Sequence, residues 1–314
     1  MILDELPADA LVLAVDVGGT TTKGEVVDAH GDVLASGVVP TALEEAALES
    51  VTTLGLSLIG QVEGVGRGTV SRAGVVVPGI VDRSRRVGVY SANIGWRELA
   101  LGPPLEAAWG MPVLLDHDVT IAGWAEWQVG AGRGCDDVFF VALGTGVAAS
   151  IVAGGRLLRG GRGQAGEFGH VVVRPDGPQC ACGGRGCLEA VCSAASVARA
   201  YASLAGREVA GGVDVLMAMA DDPVAERVWA DALAALADGL ISIVNLLSPA
   251  RVVVGGGLAE AGDALLTPLT EAVAQRVTLV PAPDIVGAEF GARAALVGAA
   301  LLARRGVGGV ESDG

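Results

Sequence analysis

The sequence predicts an α/β fold made of two lobes with a duplicated core, and three observations support this prediction. Residues 11–27 form an apolar run that is broken by Gly18-Gly19-Thr20, which is the pattern of two strands joined by a tight turn. The same pattern recurs at residues 137–152 around Gly144-Thr145-Gly146. Helical patterns follow each copy, and strands that alternate with helices are typical of an α/β fold.

The remaining elements are predicted in chain order from short apolar runs bounded by turn residues and from the helical period. The first half is predicted to hold strands at residues 33–39, 73–77 and 113–115 and helices at residues 42–59, 99–109 and 120–129. The second half is predicted to hold strands at residues 156–158 and 251–254 and helices at residues 196–204, 213–220, 222–247, from about 259, and 288–304. Thr41, followed three residues later by Glu44, is the expected cap of the first helix.

The two lobes are expected to meet near residue 120. The small lobe is predicted at residues 1–119, joined by a C-terminal helix at about residues 291–314, and the large lobe at residues 120–290. A chain of 314 residues is long enough for two domains.

Composition and charge exclude some classes of partner. The net charge is -15, and aromatic residues make up only 4% of the chain, so neither nucleic acid nor a membrane surface is an expected partner. No apolar run of 18 residues occurs, and the N-terminal ten residues are acidic, unlike a signal peptide. Five cysteines, an odd number, are unlike a secreted disulfide framework. We therefore expect a cytoplasmic location.

The two Gly/Thr turns are candidate phosphate sites. Such turns present backbone N–H groups and hydroxyls to a polyphosphate without obstruction by side chains. A single turn of this kind is more often only a turn, but two copies at matching positions favour a phosphate clamp. Asp16, at the end of the first strand, is placed to hold hydrated Mg²⁺. The Rossmann and P-loop signatures are absent.

A cluster of metal-ligand residues lies in a Gly-rich loop at residues 163–189. His170, Cys180, Cys182 and Cys187 offer one imidazole and three thiolates, the donor set of a closed, structural Zn²⁺ site. The alternative is three buried cysteines without a metal. Glu167 and Glu189 flank the cluster and are either solvated surface charges or carboxylates aimed at a polyhydroxy ligand.

Five segments of the chain together resemble the ROK family of sugar kinases. They are Asp-Val-Gly-Gly-Thr-Thr-Thr-Lys at 16–23, Val-Pro-Gly-Ile-Val-Asp at 77–82, Asn-Ile-Gly-Trp at 93–96, Gly-Glu-Phe-Gly-His at 166–170, and Cys-x-Cys-Gly-x-x-Gly-Cys-x-Glu at 180–189. The resemblance implies an actin/hexokinase-like (ribonuclease H-like) fold with an interdomain cleft. It also implies ATP with Mg²⁺ as phosphate donor and a hexose as acceptor.

The resemblance assigns roles residue by residue. It implies nucleotide contacts at Gly18, Gly19, Thr20, Thr21, Lys23, Gly144, Thr145, Gly146, Gly255, Gly256 and Gly257. It implies sugar contacts at Asn93, Glu167, His170 and Glu189, with His170 also a zinc ligand. Family members assemble as homodimers or homotetramers, so a homo-oligomer is expected.

The expected catalytic base is Asp118. Phosphoryl transfer to an alcohol needs a carboxylate that orients the hydroxyl and accepts its proton. The family carries this residue in a Glu-Asn-Asp-Ala-Asn segment, and residues 116–120 here read Asp-His-Asp-Val-Thr. His117 therefore replaces a sugar-binding Asn, which puts plain glucose in question and favours an amino-substituted glucose such as kanosamine. The bland alternative is that His117 only packs.

The predicted function is an ATP-dependent hexose kinase that acts on the 6-hydroxyl of glucose or a glucose-like sugar. The alternatives within the enzyme class are N-acetylmannosamine, N-acetylglucosamine or fructose as acceptor. The alternative outside it is a sugar-sensing transcriptional regulator of the same family. About fifteen residues precede Asp16, too few for the helix-turn-helix that those regulators carry.

Overall fold

The computed structural model describes residues 6–7 and 9–307, which divide into two compact units. Unit 1 extends to Ala125 and includes the segment from Arg293 onward, and unit 2 is Glu126–Ala292. The boundaries predicted from the sequence are 119/120 and 290/291. One continuous helix, Asp118–Val129, spans both the predicted boundary at 119/120 and the observed one at 125/126, so neither lies at a break in secondary structure. Of the expected C-terminal segment, residues 308–314 lie outside the described part.

Unit 1 is built on a five-stranded sheet. Its elements are β1 (Leu11–Val17), β2 (Thr21–Val27), β3 (Val33–Pro40), α1 (Ala46–Glu63), β4 (Val70–Val77), β5 (Ile80–Asp82), β6 (Val87–Tyr90), β7 (Arg97–Ala100), α2 (Gly102–Trp109), β8 (Val113–His117) and α3 (Asp118–Val129). The strand order is β3-β2-β1-β4-β8, with an antiparallel β1–β2–β3 meander and parallel β1–β4 and β4–β8 pairs. Strands β5, β6 and β7 form a separate small sheet.

Unit 2 repeats this arrangement. Its elements are β9 (Val138–Leu143), β10 (Val147–Ala153), β11 (Arg156–Leu158), α4 (Leu188–Cys192), α5 (Ala194–Ala205), α6 (Gly212–Ala218), α7 (Pro223–Leu247), β12 (Arg251–Gly255), α8 (Asp263–Ala274) and β13 (Asp284–Gly287). Its sheet order, β11-β10-β9-β12-β13, again joins an antiparallel meander to two parallel strands. The duplication predicted from the sequence is therefore visible in the sheet topology.

Each sheet is covered by helices that bury an apolar core. In unit 1, Gly24 and Gly37 make room for Leu58 and Leu54 of α1, because a Cβ at either glycine would lie within 3 Å of these side chains. The C-terminal helix α9 (Ala294–Arg305) packs on β1 and β4 of the same unit. In unit 2, Phe139 meets Phe168 edge to face, with ring centroids 5.1 Å apart.

Helix α7 is long and apolar enough, by length and composition alone, to cross a membrane. Its buried residues, among them Val228, Leu236 and Leu240, belong to the core of unit 2. These contacts make α7 a core helix of unit 2.

Four predicted helix starts are wrong for identifiable reasons. Helix α1 begins at Ala46 rather than 42, and Thr41 is not its cap because its hydroxyl donates to the carbonyl oxygen of Gly18 (2.7 Å). The helix expected at 99–109 begins at Gly102, since residues up to Ala100 pair in β7. The helix expected at 288–304 begins at Ala294, and the helix expected from 259 begins at Asp263, each after a short 3₁₀ turn.

Candidate functional site

The first Gly/Thr turn lies between β1 and β2 and is held by its neighbours. The Gly18 N–H donates to the Thr21 carbonyl (3.0 Å), and the Thr41 N–H donates to the Thr20 carbonyl (2.9 Å). The turn also contacts the Asn93 segment, because a Cβ at Gly19 would lie 3.4 Å from the Cβ of Asn93. Unit 1 therefore brings the predicted nucleotide turn and the predicted sugar residue Asn93 together.

Two predicted site carboxylates lie beside this turn. Parallel pairing places Asp16 of β1 opposite Val76 of β4, and Val76 opposite Asp116 of β8. Asp118 follows two residues later, at the first position of α3. Burial, together with the nearby charge of Asp118, raises the pKa of Asp16 to about 7, although Lys23 opposes the shift.

The Asp118 carboxylate is fixed through one of its oxygens. The Val119 N–H donates to Asp118 Oδ1 (2.6 Å), and Nε2 of His117 lies 3.3 Å from the same oxygen. Among the described residues, the hydrogen-bond and ion-pair contacts of this carboxylate all involve Oδ1. This arrangement leaves Oδ2 as the oxygen that can accept a substrate proton.

Both ring nitrogens of His117 face other residues of this chain. The Thr120 N–H donates to Nδ1 (3.3 Å), and the Thr120 hydroxyl lies 3.1 Å from the same nitrogen. Because a backbone N–H needs a lone pair, Nδ1 is the unprotonated nitrogen, and the proton of the neutral ring lies on Nε2, towards Asp118.

The second Gly/Thr turn, between β9 and β10, lies against two other predicted site segments. Gly256 has a φ of +83°, and a Cβ there would lie 2.6 Å from the backbone of Leu143, the residue before the turn. A Cβ at Gly169 would likewise lie 2.1 Å from the carbonyl oxygen of Val147. Unit 2 thus gathers the turn at 144–146, the loop at 255–257 and the segment at 166–170.

The four predicted metal ligands cluster in the folded chain. The ligand atoms of His170, Cys180, Cys182 and Cys187 all lie within 4.8 Å of one another. Nδ1 of His170 is the nitrogen on the cysteine side, 3.8 Å from Sγ of Cys180, while its Nε2 lies 3.8 Å from a carboxylate oxygen of Glu167. This donor set matches a tetrahedral Zn²⁺ site with a carboxylate behind the imidazole.

The thiol environment fits a bound cation. Burial, with the neighbouring thiols Cys182 and Cys180, raises the pKa of Cys187 to about 12, which means that packing three sulfurs together disfavours the thiolate. In contrast, the Gly184 N–H donates to Sγ of Cys182 (3.4 Å) and lowers the pKa of that thiol. A divalent cation would remove the cost of the buried thiolate, so these residues fit zinc.

The two glutamates next to the cluster have different environments. The Glu167 side chain is 56% exposed. Glu189 is partly buried, and its Oε2 accepts the N–H of Val147 (2.9 Å), at the end of the second Gly/Thr turn. Among the described residues, no hydrogen bond or ion pair joins the two side chains to each other. The sequence predicts the same two alternatives for both glutamates. In the structure, Glu167 is exposed and Glu189 is bonded to the second turn.

Two residues that shape these sites were missed from the sequence. Thr41 holds the first turn, but a threonine after a strand gives the same signal as a helix cap. Glu126 is fully buried and accepts the N–H groups of Ala131, Glu289 and Phe290, which fixes the start and the end of unit 2 to each other. A glutamate within the otherwise apolar run around Ala125 was the available signal for a buried, bonded carboxylate.

The comparisons with known proteins agree with this architecture. A glucokinase of Streptomyces coelicolor is 33% identical, over 94% of this chain and 98% of its own length. Two solved structures superpose with a TM-score of 0.80: a ROK hexokinase from Thermus thermophilus (34% identical, covering 93% and 97% of the two chains) and a ROK glucokinase from Streptomyces griseus in complex with glucose and AMPPNP (32% identical, 95% and 100%). The matches confirm the predicted actin/hexokinase-like two-lobe α/β fold.

The family model described as "ROK family" matches residues 12–306, nearly the whole chain. With a match of this length and relatives more than 30% identical over at least 97% of their length, this chain belongs to the ROK family.

Proposed function

We propose that this protein is an ATP-dependent hexose kinase that transfers the γ-phosphate of ATP to the 6-hydroxyl of glucose or a glucose-like sugar. The observation that carries the proposal is the Asp118 carboxylate, held through Oδ1 next to Asp16 and the first Gly/Thr turn in a chain similar to glucokinases. A sugar-sensing regulator without catalysis is expected to lose Asp118 or the first Gly/Thr turn, and both are present in this chain.

Asp118 is the proposed general base. Oδ2 of Asp118 accepts the proton of the sugar hydroxyl as the hydroxyl oxygen attacks the γ-phosphorus and ADP leaves. The carboxylate also keeps the hydroxyl in line with the bond from the γ-phosphorus to ADP. The Val119 N–H holds the carboxylate in place through Oδ1, so little reorganisation is needed at the moment of transfer.

The nucleotide is assigned to the two Gly/Thr turns. Gly18, Gly19, Thr20, Thr21 and Lys23 are proposed to contact ATP in unit 1, and Gly144, Thr145, Gly146 and the loop at Gly255, Gly256 and Gly257 in unit 2. Asp16, whose pKa burial and the charge of Asp118 raise to about 7, is the proposed partner of hydrated Mg²⁺. When bound, Mg²⁺ supplies neutralisation of the phosphate charge.

The sugar is assigned to Asn93, Glu167, His170 and Glu189, three of which lie on or beside the Cys/His cluster. Zinc in that cluster has a structural role, because four protein ligands leave no open position for substrate. It holds the Gly-rich loop that carries these polar side chains.

Acceptor choice is the finer part of the proposal. His117 stands where the family has a sugar-binding Asn, and Asp116 and Asp118 make its surroundings acidic, which favours an ammonium substituent. We propose that an amino-substituted glucose competes with glucose. Cytoplasmic location and assembly as a homodimer or homotetramer stay predictions, the second to be checked by light scattering of the purified protein.

The test is a coupled ADP-release assay with glucose, 2-amino-, 3-amino- and N-acetyl-hexoses, allose, mannose and fructose. We expect glucose or an amino-glucose to give the highest kcat/KM and the product to be the 6-phosphate, identified by NMR. Absence of turnover with every hexose, in protein that retains its zinc and its fold, would reject the kinase proposal.

A further inference from the structure

The side chain of Glu189 is seated against the second Gly/Thr turn. Its Oε2 accepts the N–H of Val147, the first residue of β10, at 2.9 Å. Gly146 makes room for it, since a Cβ at that position would lie 2.5 Å from Oε2. The missing side chain at 146 therefore lets a carboxylate reach the turn, as well as leaving the turn open.

A second hydrogen bond fixes the other end of the turn to the same part of the chain. The Ala194 N–H, at the start of α5, donates to the Gly144 carbonyl (2.9 Å), and within the turn the Gly144 N–H donates to the Gly146 carbonyl (2.9 Å). The turn is thus bonded at both ends to the α4–α5 segment.

The α4–α5 segment starts at the metal cluster. Cys187 is the residue that precedes α4, and Glu189 follows two positions later. The Leu188 N–H donates to the Val171 carbonyl (2.9 Å), and the Ser196 hydroxyl donates to the Glu189 carbonyl (2.7 Å). Helix α4 and these hydrogen bonds therefore connect the metal cluster to the turn.

We propose that Glu189 is a positioning residue that couples the Cys/His cluster to the nucleotide: it fixes the 144–146 turn in the orientation that receives the phosphates. The inference rests on the proposed function, which assigns this turn to ATP. Backbone N–H groups bind phosphate well only when their direction is set in advance. A residue that orients the turn therefore affects the binding of ATP, and the role of Glu189 is not confined to the sugar.

Two substitutions at Glu189 separate the possible roles. Glu189→Gln keeps an oxygen that can accept the Val147 N–H, while Glu189→Ala leaves that group without its acceptor and frees the turn. Affinity for AMPPNP with Mg²⁺, measured by calorimetry without sugar, should fall about tenfold in Glu189→Ala and less than threefold in Glu189→Gln. Cys182→Ser should also weaken AMPPNP binding, because the segment that bears Glu189 loses its anchor. Glu271→Ala, an exposed position on α8, is the control and should bind like wild type.

Hydrogen exchange at the Val147 amide gives a readout that needs no ligand. We expect the amide to be protected in wild type and Glu189→Gln and to exchange much faster in Glu189→Ala. Wild-type AMPPNP affinity in Glu189→Ala, with the fold intact, overturns the coupling. A wild-type protein that binds no AMPPNP, although its Val147 amide is protected, overturns the assignment of the turn to ATP and the coupling with it. Loss of sugar affinity alone in both variants would restrict Glu189 to the sugar.

Discussion

The two Gly/Thr turns have the same position in two similar sheets but different chemical surroundings. Each connects the first two strands of an antiparallel meander through three residues, 18–20 in unit 1 and 144–146 in unit 2. In each sheet, the first strand of the meander also pairs in parallel with a later strand. The two sheets therefore share the same strand pairing around the turn.

The side chains next to the turns differ. One position before the last residue of its strand, β1 carries Asp16 and β9 carries Ala142. The first turn is therefore next to a carboxylate with a raised pKa on its own strand, while the second receives Glu189 from a helix outside the sheet. Asp16 is the proposed partner of Mg²⁺, whereas Glu189 accepts a backbone hydrogen bond. A repeated turn therefore predicts a shared backbone conformation, while the side chains around it determine the chemistry.

The largest effect is expected at Asp118, the proposed base near the first turn. Asp118→Asn removes the base while keeping the shape and the oxygen that accepts the Val119 N–H. We expect kcat to fall by about 10² or more, with sugar and nucleotide affinities changed much less. Steady-state kinetics and direct binding of sugar measure the two quantities. Turnover close to wild type in folded Asp118→Asn protein would remove Asp118 from this role.

The second largest effect is expected from the Cys/His cluster, which anchors the segment that bears Glu189 next to the second turn. Wild-type protein purified without chelator should contain one zinc per chain, measured by elemental analysis, and Cys182→Ser should lose it. Because the loop that carries Glu167, His170 and Glu189 is then unanchored, sugar affinity should fall on the order of 10- to 100-fold. Cys135→Ser, outside the cluster, is the control that should keep both metal and affinity. Zinc-free wild-type protein with full activity would contradict the assignment.

The backbone of both turns could be predicted from the sequence because it depends on local signals. Gly and Thr between apolar runs specify a tight hairpin at residues 18–20 and again at 144–146, and the cysteine spacing specifies the cluster. In the same way, β8 and α3 were expected within a few residues of their ends, since strand and helix periods are clear there.

The parts that could not be predicted depend on contacts between distant residues. Thr41 carries the local signal of a helix cap, but the Gly18 carbonyl competes for its hydroxyl and wins. The bond from Val147 to Glu189 joins residues 42 apart in the chain. His117 is expected to contact a sugar, but the sequence did not predict that its Nδ1 faces Thr120 and its Nε2 faces Asp118. Sequence patterns predict residue types at a site better than they predict which partner each side chain takes.

A smaller effect is expected at His117, which has no counterpart beside the second turn. If Nε2 of its ring holds Asp118 through Oδ1, His117→Asn should lower kcat about five- to tenfold with little change in sugar KM, since the shorter Asn amide ends near the position of Nδ1. His117→Gln, whose amide reaches the position of Nε2, should recover most of that loss. Kinetics with glucose and 3-amino-glucose measure both variants, and exposed His30→Asn is the control. A shift of the kcat/KM ratio toward glucose in His117→Asn would in addition support contact of His117 with an amino-substituted sugar, as the acceptor proposal expects, and an unchanged ratio would restrict His117 to holding Asp118.

The smallest effect concerns stability at Asp16. Its pKa of about 7 in the folded chain lies above the ordinary value of about 3.9, so between these pH values the folded chain holds a proton that the unfolded chain has lost. Asp16 therefore makes the free energy of unfolding fall as pH rises from about 4 through 7. Asp16→Asn lacks this cost. Without Mg²⁺ or nucleotide, the Tm of the variant minus that of wild type should therefore be larger at pH 8 than at pH 5, by about 3–6 °C. Asp118→Asn should reproduce a smaller part of the change, because burial contributes more than the Asp118 charge. An equal Tm difference at both pH values would show that the carboxylate beside the first turn is no more costly to ionise than an exposed one, and the contrast with Ala142 would then be one of sequence without energetic consequence.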